Sequence, residues 1–321
     1  MRSVTKNVLV LVVAVIALVA IKVTEGQQQV GPALTQQQTE VPLTPGMAFT
    51  KDQQTKIESI RKVKDGLYLI AGLGGTSAGN IAVRVTNEGV IIIDDKFEPN
   101  FQEILDKVKS VTSQPIKYVL NSHQHGDHTG SNIHFLKTAE IIMHRNARAN
   151  MIRLKMPGAG RIVFNDQESL FLGGTEVQMY YFGPGHTNGD AVIYFPDLRT
   201  VHTGDLVLGG QRQDGTRLLP SIDTTSGGSG KEWVATLDGL LKIDFDTAIP
   251  GHGFVMTKDE VRKFRENFQT LTQRITDAIK SGVKKTEIVA KLKTDDLPWG
   301  NASGRLKGTV ETLYDELSAG K

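Results

Sequence analysis

Three histidines and an aspartate crowd into one short segment, at His123, His125, Asp127 and His128 of the stretch YVLNSHQHGDHTG (residues 118–130). Imidazole and carboxylate are the side chains that hold borderline divalent cations. At such close spacing the four cannot all share one face of a helix or strand. They converge only from a loop that curls around a cation, its near end held by the apolar run that stops at Leu120. Three later pieces are built to join them: His186 in GPGHTNGD, Asp205 in HTGD and His252 in PGHG. Gly126 lies between two of these candidates, where a side chain would obstruct the tight turn, and Gly185 and Gly251 each precede a candidate histidine and are expected to let the backbone bend into the site; the alternative is that all three are ordinary turn glycines. The remaining histidines, His134, His144 and His202, have no motif partner and read as structural. His202 is the one candidate for holding a ligand imidazole by its other nitrogen.

Composition narrows the chemistry. The chain has no cysteine, which excludes disulfides and thiolate metal sites and leaves imidazole and carboxylate as the donors. Its 37 basic and 35 acidic residues nearly cancel, so charge gives no case for a nucleic-acid partner. The length of 321 residues suits one large domain or two small ones. Abundant glycine and sparse aromatics suit an α/β scaffold with tight connections.

The elements that must position these residues follow from apolar periodicity. The N-terminus has a basic start and an apolar run at residues 8–21, shorter than the roughly 20 residues of a full membrane span. Residues 1–26 therefore read as a signal peptide, with an uncleaved membrane anchor as the alternative; either places the functional part in the periplasm or makes it secreted. Residues 27–56 form a Gln/Pro-rich linker. Short β-rich runs are expected at 67–72, 81–86 and 90–94, a helix at 101–111, and a buried strand at 116–120 leading into the histidine cluster. A short helix at 133–137, a strand at 141–143 and a helix at 146–154 follow. A second series places strands at 170–172, 175–182, 191–195, 201–203 and 247–249, with a helix at 231–242. Helical pieces at 258–281, 286–292 and 309–317 make up the tail. Strands and helices twice over predict two sheets packed face to face with helices outside, and every metal candidate falls just after a strand end.

The pattern His-x-His-x-Asp-His, followed in order by GHT at 185–187, TGD at 203–205 and GHG at 251–253, resembles the signature of the metallo-β-lactamase-fold hydrolases. The resemblance covers about residues 57–256. It implies an α/β fold, an αββα sandwich of two mixed β-sheets flanked by helices, with a C-terminal helical segment (257–321) packed on the domain and a dinuclear metal site at one edge. Carried over residue by residue, it assigns His123, His125 and His186 to one ion and Asp127, His128 and His252 to the other, with Asp205 bridging. The implied cofactor is a pair of Zn²⁺ ions, with iron or manganese as alternatives. The implied nucleophile is a metal-bound hydroxide, which Asp127, the candidate catalytic residue, orients or deprotonates.

Asp205 points to a branch. Class B β-lactamases carry Cys or Ser at that position and, a few residues on, a lysine for the lactam carboxylate. Here the chain runs DLVLGGQR from Asp205 to Arg212, and the substitutes at hand are Arg212 or Arg217. A bridging Asp resembles glyoxalase II-like thioesterases and lactonases. The expected protein is a secreted dinuclear zinc hydrolase of a small ester, thioester, lactone or lactam. Its partner is a small-molecule substrate, with no nucleic acid, and with membrane contact only if the N-terminal segment stays uncleaved. The alternatives are a class B-like β-lactamase and a non-catalytic metal-binding or redox-partner protein. A flavodiiron-like oxidoreductase is disfavoured, because that branch places a Glu in the first motif where this chain has Gln124 and His125.

Overall fold

β4 (Val90–Ile93) reads VIII and is buried along its whole length, as a strand covered on both faces must be. The computed structural model describes residues 60–72, 78–210, 217–300, 304 and 306–319; the expected signal peptide, the linker and Arg212 lie outside them. β1 (Arg61–Lys64), β2 (Leu67–Ile70) and β3 (Ile81–Val85) form an antiparallel meander that ends on β4. The amphipathic helix α1 (Phe101–Lys109) then carries the chain over the sheet, burying Ile104 and Val108. A helical crossover of this kind brings the next strand in parallel. β5 (Ile116–Asn121), β6 (Glu140–His144) and β7 (Ile162–Phe164) accordingly extend the sheet in parallel, giving the spatial order β1 to β7. Between them lie α2 (Gly126–Thr129), α3 (Asn132–Phe135) and α4 (Arg145–Arg153).

The second sheet has the order β15-β13-β11-β10-β9-β8, built from β8 (Gln167–Leu172), β9 (Thr175–Tyr181), β10 (Ala191–Phe195), β11 (Thr200–His202), β13 (Thr247–Ile249) and β15 (Met256–Thr257). It too is mixed, with β11 parallel to β13. A small parallel ribbon of β12 (Leu208–Gly209) and β14 (His252–Gly253) stands beside it. Its helices are α5 (Gly230–Leu241), α6 (Lys258–Lys280), α7 (Lys285–Lys291) and α8 (Lys307–Ser318).

Three apolar clusters hold the layers. Leu67, Leu69, Ile91, Ile93 and Leu120 of the first sheet meet Val177, Met179, Ile193, Phe195 and Ile249 of the second. Outside the first sheet, Ile104, Val108 and Phe135 cover Val83, Ile92 and Val119. Outside the second, Trp233, Phe268 and Leu313 lie with Val192, Val201 and Ala248. The fold is thus an αββα sandwich of two mixed sheets flanked by helices, with the C-terminal helices present as expected. Among the described residues no helix is long and apolar enough to cross a membrane.

Besides the two-residue strands β12, β14 and β15, two strands escape apolar periodicity. β1 is RKVK, an edge strand with a single apolar residue, and β7 is only the three residues IVF. Both follow from tertiary pairing rather than local pattern.

Immediately after β4 the chain takes up left-handed backbone angles at Asp94 (φ 64°) and Lys96 (φ 58°), a region that non-glycine residues rarely occupy. The turn buries the whole Lys96 side chain. Its Nζ donates to the carbonyls of Ala71 and Gly79, each at 2.7 Å. Burial, with a smaller push from Lys107, brings its pKa from the ordinary 10.5 down to about 7, only partly offset by Glu103 and Asp127. The unfolded chain therefore binds the extra proton between about pH 7 and the ordinary lysine range, so Lys96 makes stability rise with pH across that window. In urea unfolding of chelator-treated protein, the stability of the parent relative to Lys96→Met is expected to grow from pH 7 to pH 10. A difference independent of pH over that range would show that Lys96 is not held in this way.

Candidate metal centre

β5 delivers Ser122 and His123 at its C-terminal end. His125 then caps α2 in an extended conformation (φ −62°, ψ 148°), so that Asp127 and His128 fall in a single helical turn. What reads as an open loop in sequence is thus a one-turn helix. His186 follows β9, Asp205 lies in the turn Gly204–Leu206 after β11, and His252 opens β14 just beyond β13. Strand ends of both sheets therefore bring all seven candidate residues to one edge of the sandwich.

They gather into two groups and a link. His125 Nδ1 lies 3.1 Å from His123 Nε2 and 2.9 Å from His186 Nε2. In the second group His252 Nε2 lies 3.3 Å from His128 Nε2 and 3.1 Å from Asp127 Oδ2. Asp205 stands between them, with Oδ2 3.6 Å from His186 Nε2 and Oδ1 3.4 Å from His128 Nε2. Its buried Oδ1 accepts no hydrogen bond, although a buried carboxylate oxygen without a partner is costly.

The outward nitrogens decide what the inward ones offer. His186 Nδ1 donates to the Ser221 carbonyl (2.7 Å), His125 Nε2 to Asp223 Oδ2 (2.8 Å) and His128 Nδ1 to Asp94 Oδ2 (2.8 Å). Ser122 Oγ gives its own proton to Asp94 Oδ2 (2.7 Å), so it accepts from His123 Nδ1 at 3.1 Å. None of these acceptors has a proton to return. In the three-histidine group each ring that gives its outward proton away turns a lone pair inward, and lone pairs about 3 Å apart repel one another. A cation among them reverses the sign of that interaction. Donors so spaced suit one ion with bonds of roughly 2.0–2.1 Å, and the unpartnered Asp205 oxygen supplies the matching negative charge. The residues present fit a metal centre of nitrogen and oxygen donors.

The two halves differ electrostatically. Burial, reinforced by the neighbouring imidazoles, holds His123 well below the usual histidine range and lowers His125 as well. Burial also opposes charge on His128 and His252. There, however, the Asp127 and Asp205 carboxylates outweigh it and raise the two rings to about 9 and about 10. For Asp205 burial opposes ionisation, yet His252 and His128 hold it well below the usual carboxylate range. Burial disfavours charge on His123 and His125, whereas His128 and His252 are paired with carboxylates.

Supporting residues include several that sequence patterns did not single out. Asp94 is fully buried and also accepts from Ser122 N at 2.7 Å, so one carboxylate orients His128 directly and His123 through Ser122. Its only local signal is a charge at the end of the all-apolar run VIII. Ser221 and Asp223 lie in a stretch without periodicity and have no signal of their own. Gly79 N donates to Asp127 O (3.1 Å), and Asn80 binds Gly251 O, Pro250 O and Gly253 O at 2.7–3.0 Å. This pair ties the α2 segment to the strand end that carries His252.

Some expectations change. A side chain at Gly126 would meet nothing within 4 Å, so that glycine is not required by the turn. Gly251 is required, by proximity rather than by bending: a Cβ there would sit 2.0 Å from Asp205 Oδ1. Gly185 packs likewise, with Leu206 2.6 Å from its would-be Cβ. His202 hydrogen-bonds backbone rather than a ligand imidazole: its nitrogens lie 3.3 Å from the Asn80 carbonyl and from Gly204 N. His144 caps α4 and stacks on Tyr181, and His134 pairs with Glu98. Arg217 donates to the Pro298 carbonyl.

A two-sheet αββα sandwich with clustered His and Asp at its edge defines a class of metal-dependent hydrolases. The chain belongs to the metallo-beta-lactamase superfamily, whose family model matches residues 74–252. It is 26% identical over 167 residues to the metallo-beta-lactamase type 2 of Elizabethkingia meningoseptica, covering 50% of this chain and 67% of that protein. It is also 26% identical over 201 residues to the 2,4-dinitroanisole O-demethylase subunit alpha of a Nocardioides strain. That match covers 61% of this chain and 58% of the subunit, so the chain spans less than two thirds of that relative. Among solved structures, a metallo-beta-lactamase from Pontibacter korlensis superposes with a TM-score of 0.56 at 19% identity, covering 66% of this chain and 98% of that one.

Asp94→Asn removes one of the two acceptor oxygens that hold Ser122 and His128. Losing a partner that orients a metal-binding histidine typically costs 10–100-fold in metal affinity, and a drop of about that size is expected in competition titrations with a chelator. Unchanged affinity would show that Asp94 does not orient the centre.

Proposed function

We propose that this chain is a periplasmic or secreted dinuclear zinc hydrolase that cleaves a small ester, thioester, lactone or lactam. The observation that carries the reading is Asp205, whose carboxylate lies between two imidazole groups and whose Oδ1 has no other partner. His123, His125 and His186 would hold one ion, Asp127, His128 and His252 the other, and Asp205 both. Zinc ions in these positions supply Lewis acidity toward a carbonyl oxygen and lower the pKa of water.

The chain's own residues define the rest. The hydrogen bonds to Ser122, Asp94, Asp223 and the Ser221 carbonyl fix four rings before substrate arrives, so no reorganisation is needed during reaction. Burial works against ionisation of Asp127, but His128 and His252 outweigh it and hold its carboxyl below the usual range. As a carboxylate beside the second group, Asp127 orients an attacking water by accepting its hydrogen bond. The substrate preference rests on Asp205 together with the basic groups. Arg217 is engaged with Pro298, which speaks against its serving as an anchor for a lactam carboxylate. Ester, thioester or lactone cleavage is therefore favoured over β-lactam cleavage. Export rests on the basic and apolar N-terminal residues.

Protein lacking residues 1–26 is expected to take up a pair of zinc ions per chain. In a panel of nitrocefin, a glutathione thioester and an acyl-homoserine lactone, thioester or lactone turnover should exceed that of nitrocefin. His123→Ala and Asp127→Ala should each abolish the turnover observed. Unaltered rates in both variants would sink the site assignment, whereas nitrocefin as the best substrate would move the protein to the β-lactamases.

A further inference from the structure

The C-terminal helix α8 meets the segment 220–231 at both ends. At the near end, the buried Thr309 donates through Oγ1 to the Pro220 carbonyl at 2.5 Å. The next residue, Ser221, supplies the carbonyl that fixes the tautomer of His186. Two residues further, Asp223 binds His125 through its carboxylate and the His186 carbonyl through its backbone N–H (2.9 Å). At the far end, Glu316 of α8 accepts from Lys231 N (2.9 Å), Gly230 N (3.3 Å) and Ser229 Oγ (3.3 Å). It therefore caps α5, where backbone donors lack intrahelical partners and a carboxylate is electrostatically favoured. Ser229 N in turn donates to the carbonyl of Gly185, the residue before His186 (2.9 Å), and Gly228 N to that of Asp223 (2.8 Å). Gly230 is squeezed between the two partners: a Cβ there would lie 2.5 Å from both Ile222 and Leu313 of α8.

The other half of the centre is held differently. Asp127 and His128 are tied by Gly79 and Asp94, and the strand end bearing His252 by Asn80. Among the described residues no hydrogen bond of α8 reaches these elements.

We infer that α8 is a positioning element for the three-histidine half of the metal centre, acting through Thr309 on Ser221 and through Glu316 on the start of α5. The inference rests on the two-metal reading above. It assigns the C-terminal helix a part in the site that covering the second sheet alone would not require. Thr309 and Glu316 are positioning residues, since neither touches a donor ring.

The test uses the full chain loaded with zinc or cobalt(II), and the variants Thr309→Val, Thr309→Ser and Glu316→Gln. Stepwise zinc binding is measured against a chromogenic chelator, and the visible spectrum of the cobalt form is followed through the same two steps. Far-UV circular dichroism monitors folding. Thr309→Val and Glu316→Gln are expected to weaken one binding step, by about 10–100-fold for the valine variant, and to alter the cobalt spectrum in that step alone. Thr309→Ser, which keeps the hydroxyl and drops a methyl, should retain the parent's affinity in both steps. Equal weakening of both steps, no weakening, or a serine variant as impaired as the valine one would each overturn the inference. If the parent protein itself fails to take up two ions, the two-metal reading falls first and this inference falls with it.

Discussion

Five imidazoles and two carboxylates are packed with most of their surface out of water, and for four of the five rings an outward acceptor decides which nitrogen carries the proton. Each outward acceptor therefore does two tasks. It satisfies a buried N–H, which would otherwise cost about 1–3 kcal/mol, and it fixes the direction of a lone pair. Asp94 stands out because it serves two rings that belong to different groups of donors. Its left-handed backbone conformation is the local cost of bringing a carboxylate from the end of a fully buried strand to that point.

The two sheets then act as rulers. Parallel strands end in register, so β4, β5 and β11 with β13 release the chain at one edge, and the ligands emerge there on short connections. Gly251 shows how tightly that edge is packed, since the backbone preceding His252 passes within a methyl group's reach of Asp205. The small ribbon of β12 with β14 extends the same alignment past the sheet. It links the stretch after Asp205 to the stretch that begins at His252.

The layers and the convergence of the seven candidate residues were legible in the sequence because both depend on local pattern. Buried strands such as VIII declare themselves by composition, and His123, His125, Asp127 and His128 by chemistry and spacing. The supporting shell was much less legible. Asp223, Ser221 and Asn80 are ordinary polar residues in irregular segments, and their roles exist only once distant strands have met. Gly126 shows the converse error: a glycine between ligands suggested steric need, yet the space beside it is open. Edge strand β1 escaped because an edge needs only one apolar face, and RKVK supplies a single valine to it.

The donors' separation along the chain has a consequence for assembly. His128 and His252 lie 124 residues apart in sequence and 3.3 Å apart in space. His125 and Asp223 are likewise joined across 98 residues. Each such contact closes a long loop at an entropic cost and requires distant strands to have met. The complete donor set therefore exists only in the finished sandwich, and a cation that binds that state alone draws the folding equilibrium toward it by mass action. Metal supply would then bear on how much of the chain is folded as well as on catalysis, because a ligand of the folded state alone stabilises that state.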